Sequence, residues 1–195
     1  AFDGEHIWFS GLGATTILKF NPITGARYSF AHGQGASAYV SALFDGENVW
    51  LIPYDGANIT KLAPSTATLT HYAHGQGSAA FINAVFDGTN IWCIPRNSSN
   101  LVKLEIATGT MTTYAHGQGT VAYGGGCFDG TSIWMGGANS ANITKVNIST
   151  GGLTHFAHGL GSTALTVPSF DGEYVWFPAL SSSSIVRVNI NTNAL

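Results

Sequence analysis

The triplet Phe-Asp-Gly occurs five times in this chain of 195 residues, always 42 residues apart. The five copies begin at Phe2, Phe44, Phe86, Phe128 and Phe170. A fixed period of this length indicates a protein assembled from repeated structural units. A unit of this size cannot bury both of its faces alone, so consecutive units must pack against one another.

Each copy carries the same further landmarks. A tryptophan follows the phenylalanine by six residues, at Trp8, Trp50, Trp92, Trp134 and Trp176. A basic residue between apolar ones comes next, at Lys19, Lys61, Lys103, Lys145 and Arg187. Four copies close with Ala-His-Gly-x-Gly, beginning at Ala31, Ala73, Ala115 and Ala157. Residues that recur in this way are first expected to build the repeat itself.

Each unit reads as four short strands, which in the second unit are predicted over residues 36–44, 48–53, 59–62 and 68–73. Asp-Gly joins the first two and is a strong hairpin signal. No stretch has the sustained apolar spacing of a helix. Four antiparallel strands in a repeat of this length make one propeller blade. The chain is therefore predicted to be an all-β propeller with five units of four-stranded blades.

The two end units are expected to be incomplete. Phe2 stands at the end of a first strand, and the chain stops soon after a third strand. The first unit therefore lacks its inner strand and the last unit its outer strand. We expect residues 1–195 to form a single propeller domain of a longer chain. Alternatively, a partner copy supplies the missing strands by self-association through the open edge strands, or the ring has more than five blades.

Composition argues against some classes of partner. Charged residues make up only 9% of the chain and the net charge is −3, which offers no basic surface for nucleic acid. No apolar run approaches the roughly 18 residues of a membrane-spanning helix, so membrane insertion is not expected. Cys93 and Cys127 occupy different positions of the repeat and are predicted to be buried thiols without a disulfide.

The loops that connect one blade to the next are the strongest candidate site. In a propeller, the loops between second and third strands fall on the same face. They also differ most between copies, over residues 11–16, 54–58, 96–100, 136–142 and 179–184. A constant framework with variable loops is how scaffolds carry recognition. The predicted ligand-binding residues are His32, Gln34, His74, Gln76, His116, Gln118, His158, Tyr54, Asp55, Arg96 and Asn97.

A structural role is the alternative for the histidines, since a histidine beside glycines can fix a turn by hydrogen bonds. The fourth loop has Leu160 in place of glutamine, so a pocket that needs glutamine should be weak there. Histidines spread around a ring are too far apart to share one metal ion, and no metal or cofactor is expected. Most aspartates belong to the repeated turn, so no unique carboxylate pair suggests glycoside hydrolysis. No catalytic residue is predicted.

The repeat resembles a known bacterial type. The pattern Phe-Asp-Gly-x-x-Ile/Val-Trp, then Asn-Ile-Thr-Lys-Val/Leu, then Thr-Gly is similar to β-propeller repeats of the YVTN and virginiamycin B lyase-like family. It is clearest in residues 86–92, 128–134 and 142–146. The resemblance extends over essentially the whole chain and implies a propeller fold. Relatives of that type include secreted surface proteins, phage tail proteins and a metal-dependent lyase.

These observations favour a non-enzymatic recognition module. We expect multivalent binding of a glycan or surface receptor by a lectin-like or adhesin-like protein, outside a cell or on a virion, as in a phage tail. Weak pockets repeated around a ring can gain about 10²–10⁴ in avidity. One alternative is a virginiamycin B lyase-like or other propeller enzyme, with a perturbed cluster around Asp55, Arg96 or the histidines. The other is a structural propeller that joins neighbouring chains through its edge strands.

Overall fold

The computed structural model describes residues 1–161, 165–180 and 183–195, and every regular element in these ranges is a β-strand. The strands form five separate antiparallel sheets, one for each repeat. The prediction of an all-β fold made of repeated sheet units is therefore confirmed. Across the described ranges, no helix has the length and apolar character needed to cross a membrane.

The three middle sheets have four strands each and the two end sheets have three. Sheet 1 consists of β1 (Ile7–Ser10), β2 (Thr16–Phe20) and β3 (Arg27–Ala31). Sheet 2 consists of β4 (Tyr39–Phe44), β5 (Val49–Pro53), β6 (Asn58–Ala63) and β7 (Thr68–Ala73). Sheet 3 consists of β8 (Phe81–Phe86), β9 (Asn90–Pro95), β10 (Asn100–Glu105) and β11 (Met111–Ala115). Sheet 4 consists of β12 (Tyr123–Phe128), β13 (Ser132–Gly137), β14 (Asn142–Asn147) and β15 (Leu153–Ala157). Sheet 5 consists of β16 (Ser169–Phe170), β17 (Tyr174–Pro178) and β18 (Ile185–Asn189).

The end sheets are incomplete in the way the repeat predicts. In sheet 1 only the end of an inner strand is present. There the amide of Trp8 donates to the carbonyl of Ala1 over 2.7 Å, and the amino group of Ala1 donates back over 2.9 Å. In sheet 5 the outermost strand of the described residues is β18. Self-association through the edges of the end sheets stays a prediction.

The inner strands begin later than predicted. In sheet 2 the strand starts at Tyr39 and not at residue 36, because Ser37 has a φ of 60°. This left-handed conformation interrupts an extended strand. Ala79 and Val121 occupy the same repeat position and also have positive φ, at 48° and 51°. The turn before each inner strand is thus part of the repeat.

The core lies between neighbouring sheets. Trp50 and Ile59 of sheet 2, for example, pack against Phe81 and Cys93 of sheet 3, and all four side chains are fully buried. The innermost named strands of the five sheets meet in chain order: β1 contacts β4, β4 contacts β8, β8 contacts β12, and β12 contacts β16. Each sheet thus buries its faces on its neighbours, as the repeat requires. Closure of the sheets into a ring stays a prediction.

The two cysteines are free thiols, and their predicted burial is complete only for Cys93. Burial strongly raises the pKa of Cys93, which is fully buried. Burial, with a smaller contribution from the charge of Asp129, raises the pKa of Cys127 to about 12. Cys127 itself is half-buried. Both side chains are therefore protonated at neutral pH and poor nucleophiles.

Candidate functional site

The four histidines of the connecting loops are buried and anchored at both ring nitrogens. The amide of the residue two positions later donates to Nδ1, at 3.1–3.3 Å, in each loop. A neutral ring with an accepting Nδ1 carries its proton on Nε2. Nε2 then donates to a carbonyl eighteen residues earlier, as in His32 to Ala14 (3.1 Å), His74 to Gly56 (2.8 Å), His116 to Ser98 (2.9 Å) and His158 to Ser140 (3.1 Å). Each imidazole therefore clamps its own connecting loop to the variable loop of the same sheet.

The environment keeps two of these histidines neutral. Burial lowers the pKa of His74 and outweighs the bond to the Gly56 carbonyl, which acts in the opposite direction. Burial also lowers the pKa of His116, with a further small contribution from the nearby His155. A neutral imidazole with both nitrogens engaged is well suited to hold a loop in place. Ligand binding by the histidines stays a prediction.

The loop glutamines bond to the following sheet. The side-chain oxygen of Gln34 accepts from Nδ2 of Asn58 over 2.7 Å. The oxygen of Gln76 accepts from Asn100 Nδ2 and from the Ser98 hydroxyl, both over 2.9 Å. Gln118 repeats the pattern with Asn142 and Ser140, over 2.9 and 2.8 Å. Histidine and glutamine of one loop therefore tie two consecutive sheets together.

The fourth connecting loop contacts the following sheet through an apolar side chain. Leu160, which replaces the glutamine, packs against the apolar cluster shared by sheets 4 and 5. Its backbone amide still donates to Nδ1 of His158. The histidine contact of the junction is thus retained, while the glutamine hydrogen bonds are replaced by apolar packing of Leu160.

The remaining predicted site residues meet at the junction of sheets 2 and 3. Tyr54 and Arg96 stand at equivalent repeat positions, and the Arg96 guanidinium lies 5.6 Å from the centre of the Tyr54 ring. Asp55 accepts a hydrogen bond from the amide of Ala79 over 3.1 Å. The Asn97 side chain is exposed, and its amide donates to the Ala79 carbonyl over 3.1 Å. The structure therefore brings Tyr54, Asp55, Arg96 and Asn97 to one junction.

A small cavity of about 120 Å³ lies at this junction. Asp55, His74 and Gln76 line it, together with Ala57, Gly75 and Gly77. Three of the eleven predicted residues thus share one concave surface, and Tyr54 adjoins it in sequence. The residues of the other connecting loops, His32, Gln34, His116, Gln118 and His158, belong to separate junctions.

Two larger clefts lie on the opposite face, where the Asp-Gly turns are, and sequence reasoning missed both. One, of about 340 Å³, is lined by Asp3, Glu5, His6, Lys19, Phe44, Glu47, Pro64 and Ser65. The other, of about 320 Å³, is lined by Asp45, Gly46, Glu47, Phe86, Gly88, Thr89, Ile106 and Ala107. Most of these residues correspond at a spacing of 42, so the clefts are one feature in consecutive copies. The recurrence of Glu5 and Glu47 beside the turn was the available signal.

The repeated aspartates are structural, as the turn motif predicts. In each copy one carboxylate oxygen accepts from the tryptophan indole over 2.6 Å, as between Asp129 and Trp134. The other oxygen accepts from two backbone amides, which for Asp129 belong to Thr131 and Ser132. Burial raises the pKa of Asp129, but these hydrogen bonds outweigh it and hold the pKa below its usual range. The indole bond was not foreseen from the sequence.

Metal ligands do not gather in the part of the chain that the structure describes. In residues 1–161, 165–180 and 183–195, no three His, Cys, Asp or Glu side chains stand close enough to hold an ion. A carboxylate oxygen of Glu5 lies 3.7 Å from Nδ1 of His6.

The fold is shared with solved bacterial propellers. No family model and no curated protein matches the chain. In structure the chain is similar to a catalytically inactive virginiamycin B lyase from Staphylococcus aureus with quinupristin, at a TM-score of 0.83 and 17% identity, covering 98% of this chain and 65% of that one. It is also similar to a streptogramin B lyase, at a TM-score of 0.82 and 20% identity, covering 98% and 64%. The resemblance to lyase-like propellers seen in the repeat is therefore confirmed for the fold.

A third similar structure comes from a different kind of protein. It is the extracellular domain of a putative one-component system from B. thetaiotaomicron, with a TM-score of 0.76 and 15% identity, and it covers all of this chain but 28% of that one. The chain spans slightly less than two thirds of the lyases it matches. At these identities the similarity concerns the fold alone, since one fold carries many functions.

Proposed function

We propose that this chain is a non-enzymatic recognition module that binds a glycan or another surface receptor at several junctions between its sheets. Its recognition surface is the face of the connecting loops. The proposal places it outside a cell or on a virion surface, in a lectin-like or adhesin-like role. The extracellular propeller domain among the similar structures supports such a location.

One observation carries this proposal. The groups that recur are engaged within the framework: histidine nitrogens bond to loop backbone in four connecting loops, and aspartate oxygens bond to indole and amide groups in the turns of the opposite face. The side chains that vary lie in the loops between second and third strands, on the face of the connecting loops. At the equivalent position of the first four loops stand Leu12, Tyr54, Arg96 and Ala138. A rigid frame that presents different side chains suits recognition.

The junction of sheets 2 and 3 has the groups that a sugar requires. The Tyr54 ring is the kind of apolar surface on which sugar rings commonly stack, and the Arg96 guanidinium lies over one of its faces. Asp55 brings a carboxylate to the adjoining cavity, where it can accept from hydroxyl groups. A cavity of about 120 Å³ is smaller than a drug-sized site, so it fits one sugar residue or a terminal group.

A glycan array with a labelled form of the protein tests this proposal. We expect binding to one glycan class, and a loss of about tenfold for Tyr54→Ala, which corresponds to about 1.4 kcal/mol. Ile23→Ala is the matched control, since Ile23 is 90% exposed in the turn between β2 and β3, on the opposite face. An array without binding, or equal loss in both variants, contradicts the proposal.

A propeller enzyme remains the alternative hypothesis, because two of the similar structures are lyases. Incubation of the protein with quinupristin, followed by mass spectrometry, distinguishes the two. Unchanged quinupristin is expected for a recognition module. A modified product would support the enzyme and contradict the non-enzymatic proposal.

A further inference from the structure

The face of the connecting loops carries one basic residue, Arg96, among residues 1–161, 165–180 and 183–195, which include every lysine and arginine of the chain. Five of the other six lie on third strands, where each stands opposite the tryptophan of its own sheet, at Lys19, Lys61, Lys103, Lys145 and Arg187. Arg27 begins β3, next to a turn on the opposite face. The positive charge of the proposed recognition surface is therefore concentrated at the junction of sheets 2 and 3.

The Arg96 guanidinium is held against an aromatic ring. It lies 5.6 Å from the centre of the Tyr54 ring, and the Arg96 side chain is half-buried. In the described part of the chain, no carboxylate forms an ion pair with it. Contact with an aromatic face limits the movement of a guanidinium and leaves its N–H donors available, since these point outward in its plane. Two such donors match the two oxygens of a carboxylate.

The groups next to Arg96 suit the hydroxyl groups of a sugar. Asp55 lines the cavity of about 120 Å³, and one of its oxygens accepts from the amide of Ala79 over 3.1 Å. A carboxylate has further lone pairs, with which it can accept from hydroxyl groups. The side chain of Asn97, which follows Arg96, is exposed and can donate. The junction thus offers donors for an anionic group at Arg96 and an acceptor for hydroxyl groups at Asp55.

We propose that this junction binds a sugar that carries a carboxylate, such as a uronic acid or a sialic acid, with the carboxylate on Arg96 and hydroxyl groups on Asp55. The inference rests on the glycan-binding function proposed above and names its ligand class. A small inorganic anion fits less well, because the charge of Asp55 repels it and finds no hydroxyl group to accept from. A neutral sugar fits less well too, because it brings no anion to the Arg96 donors.

The corresponding positions of the other loops lack this combination. Leu12 and Ala138 are equivalents of Arg96 and carry no charge. Gly13 and Asn139 are equivalents of Asp55 and carry no carboxylate. The carboxylate of the ligand is therefore expected at the junction of sheets 2 and 3, while other junctions contact neutral parts of a glycan.

Glycans that differ only in the charge of their carboxylate test the proposal. Oligogalacturonate and sialyllactose are each compared with their methyl esters for binding to the immobilised protein. We expect the acid form of at least one of the two to bind about tenfold more tightly than its ester, because charge-assisted hydrogen bonds are stronger than neutral ones. This preference should weaken when the salt concentration is raised from about 0.05 M to about 0.5 M, since salt screens exposed charges.

Arg96→Gln should remove the preference, so that acid and ester bind equally. Arg27→Gln is the matched control, because the Arg27 guanidinium also lies against an aromatic ring, 5.8 Å from the centre of Phe20, and its loss changes the net charge by the same amount. Arg27→Gln should keep the preference of the unchanged chain. The ratio of acid to ester affinity is measured within one variant, so it does not depend on how much of that variant is folded.

The outcomes separate this inference from the function on which it rests. Equal binding of acid and ester by the unchanged chain overturns the inference and leaves glycan recognition standing. The same holds for an equal loss of preference in Arg96→Gln and Arg27→Gln. Absence of binding to every glycan, neutral or charged, overturns the recognition function and the inference together.

Discussion

Replacing Gln118 by leucine would give the third connecting loop the residue that stands in the fourth. The Gln118 oxygen accepts hydrogen bonds from Asn142 and from the Ser140 hydroxyl, and both donors belong to the segment that begins the third strand of sheet 4. Leucine removes both bonds at once. The histidine half of the same loop, centred on His116, is left in place.

The size of the effect follows from the two bonds. A neutral intramolecular hydrogen bond contributes about 0.5–1.5 kcal/mol, so two contribute about 1–3 kcal/mol. The Ser140 hydroxyl keeps a contact with the backbone of Asn142, which favours the middle of that range. For a chain of this length, about 2 kcal/mol corresponds to a fall of about 4–8 °C in Tm.

Urea unfolding and thermal unfolding of Gln118→Leu measure this loss directly. Gln118→Glu is the matched control, because a carboxylate still accepts from both Asn142 and Ser140. We expect the glutamate variant to stay within about 0.5 kcal/mol of the unchanged chain. An unaltered stability of the leucine variant, or an equal loss in both variants, would refute the assignment of glutamine as the tie between sheets.

Two further predictions concern stability. Burial lowers the pKa of His74 and His116 below the ordinary value of 6.5, so below about pH 6.5 the unfolded chain takes up protons that the folded chain does not. The free energy of unfolding should therefore fall as pH is lowered from 7.5 to 5.5. A rise over this range would contradict the role of these histidines as buried neutral groups. Asp129→Ala leaves a buried indole N–H and two backbone amides without an acceptor, and it should lower the free energy of unfolding in urea by about 2–4 kcal/mol. Asp55→Ala loses one exposed hydrogen bond and should lower it by less than about 1 kcal/mol. Equal losses in the two variants would refute a special role of the repeated aspartate.

The fold could be predicted because the same residues recur at a fixed spacing along the sequence. Five tryptophans at one spacing, with Asp-Gly before each, define the strand pairs without knowledge of any contact. The incomplete end sheets followed from where Phe2 and Leu195 stand in the repeat. The start of the inner strands could not be read, because the positive φ at Ser37 has no sequence signal comparable to glycine.

The hydrogen-bond partners of the loop residues were harder to predict from the sequence. Recurrence marks His74 and Gln76 as important, but it does not say which atoms they contact or whether the contact is within a sheet or between sheets. A structural role and a binding role of the histidine are both compatible with the sequence. The clefts beside Glu47 were missed for a related reason, since they form only when two units are side by side.

A crystal structure with the best ligand of the glycan array tests most directly whether the connecting-loop face is the recognition surface. The account predicts ligand density in the cavity beside His74 and Gln76, in contact with Tyr54 or Arg96, and further density at other junctions on that face. Density only in the clefts of the opposite face, beside Glu47, would contradict it.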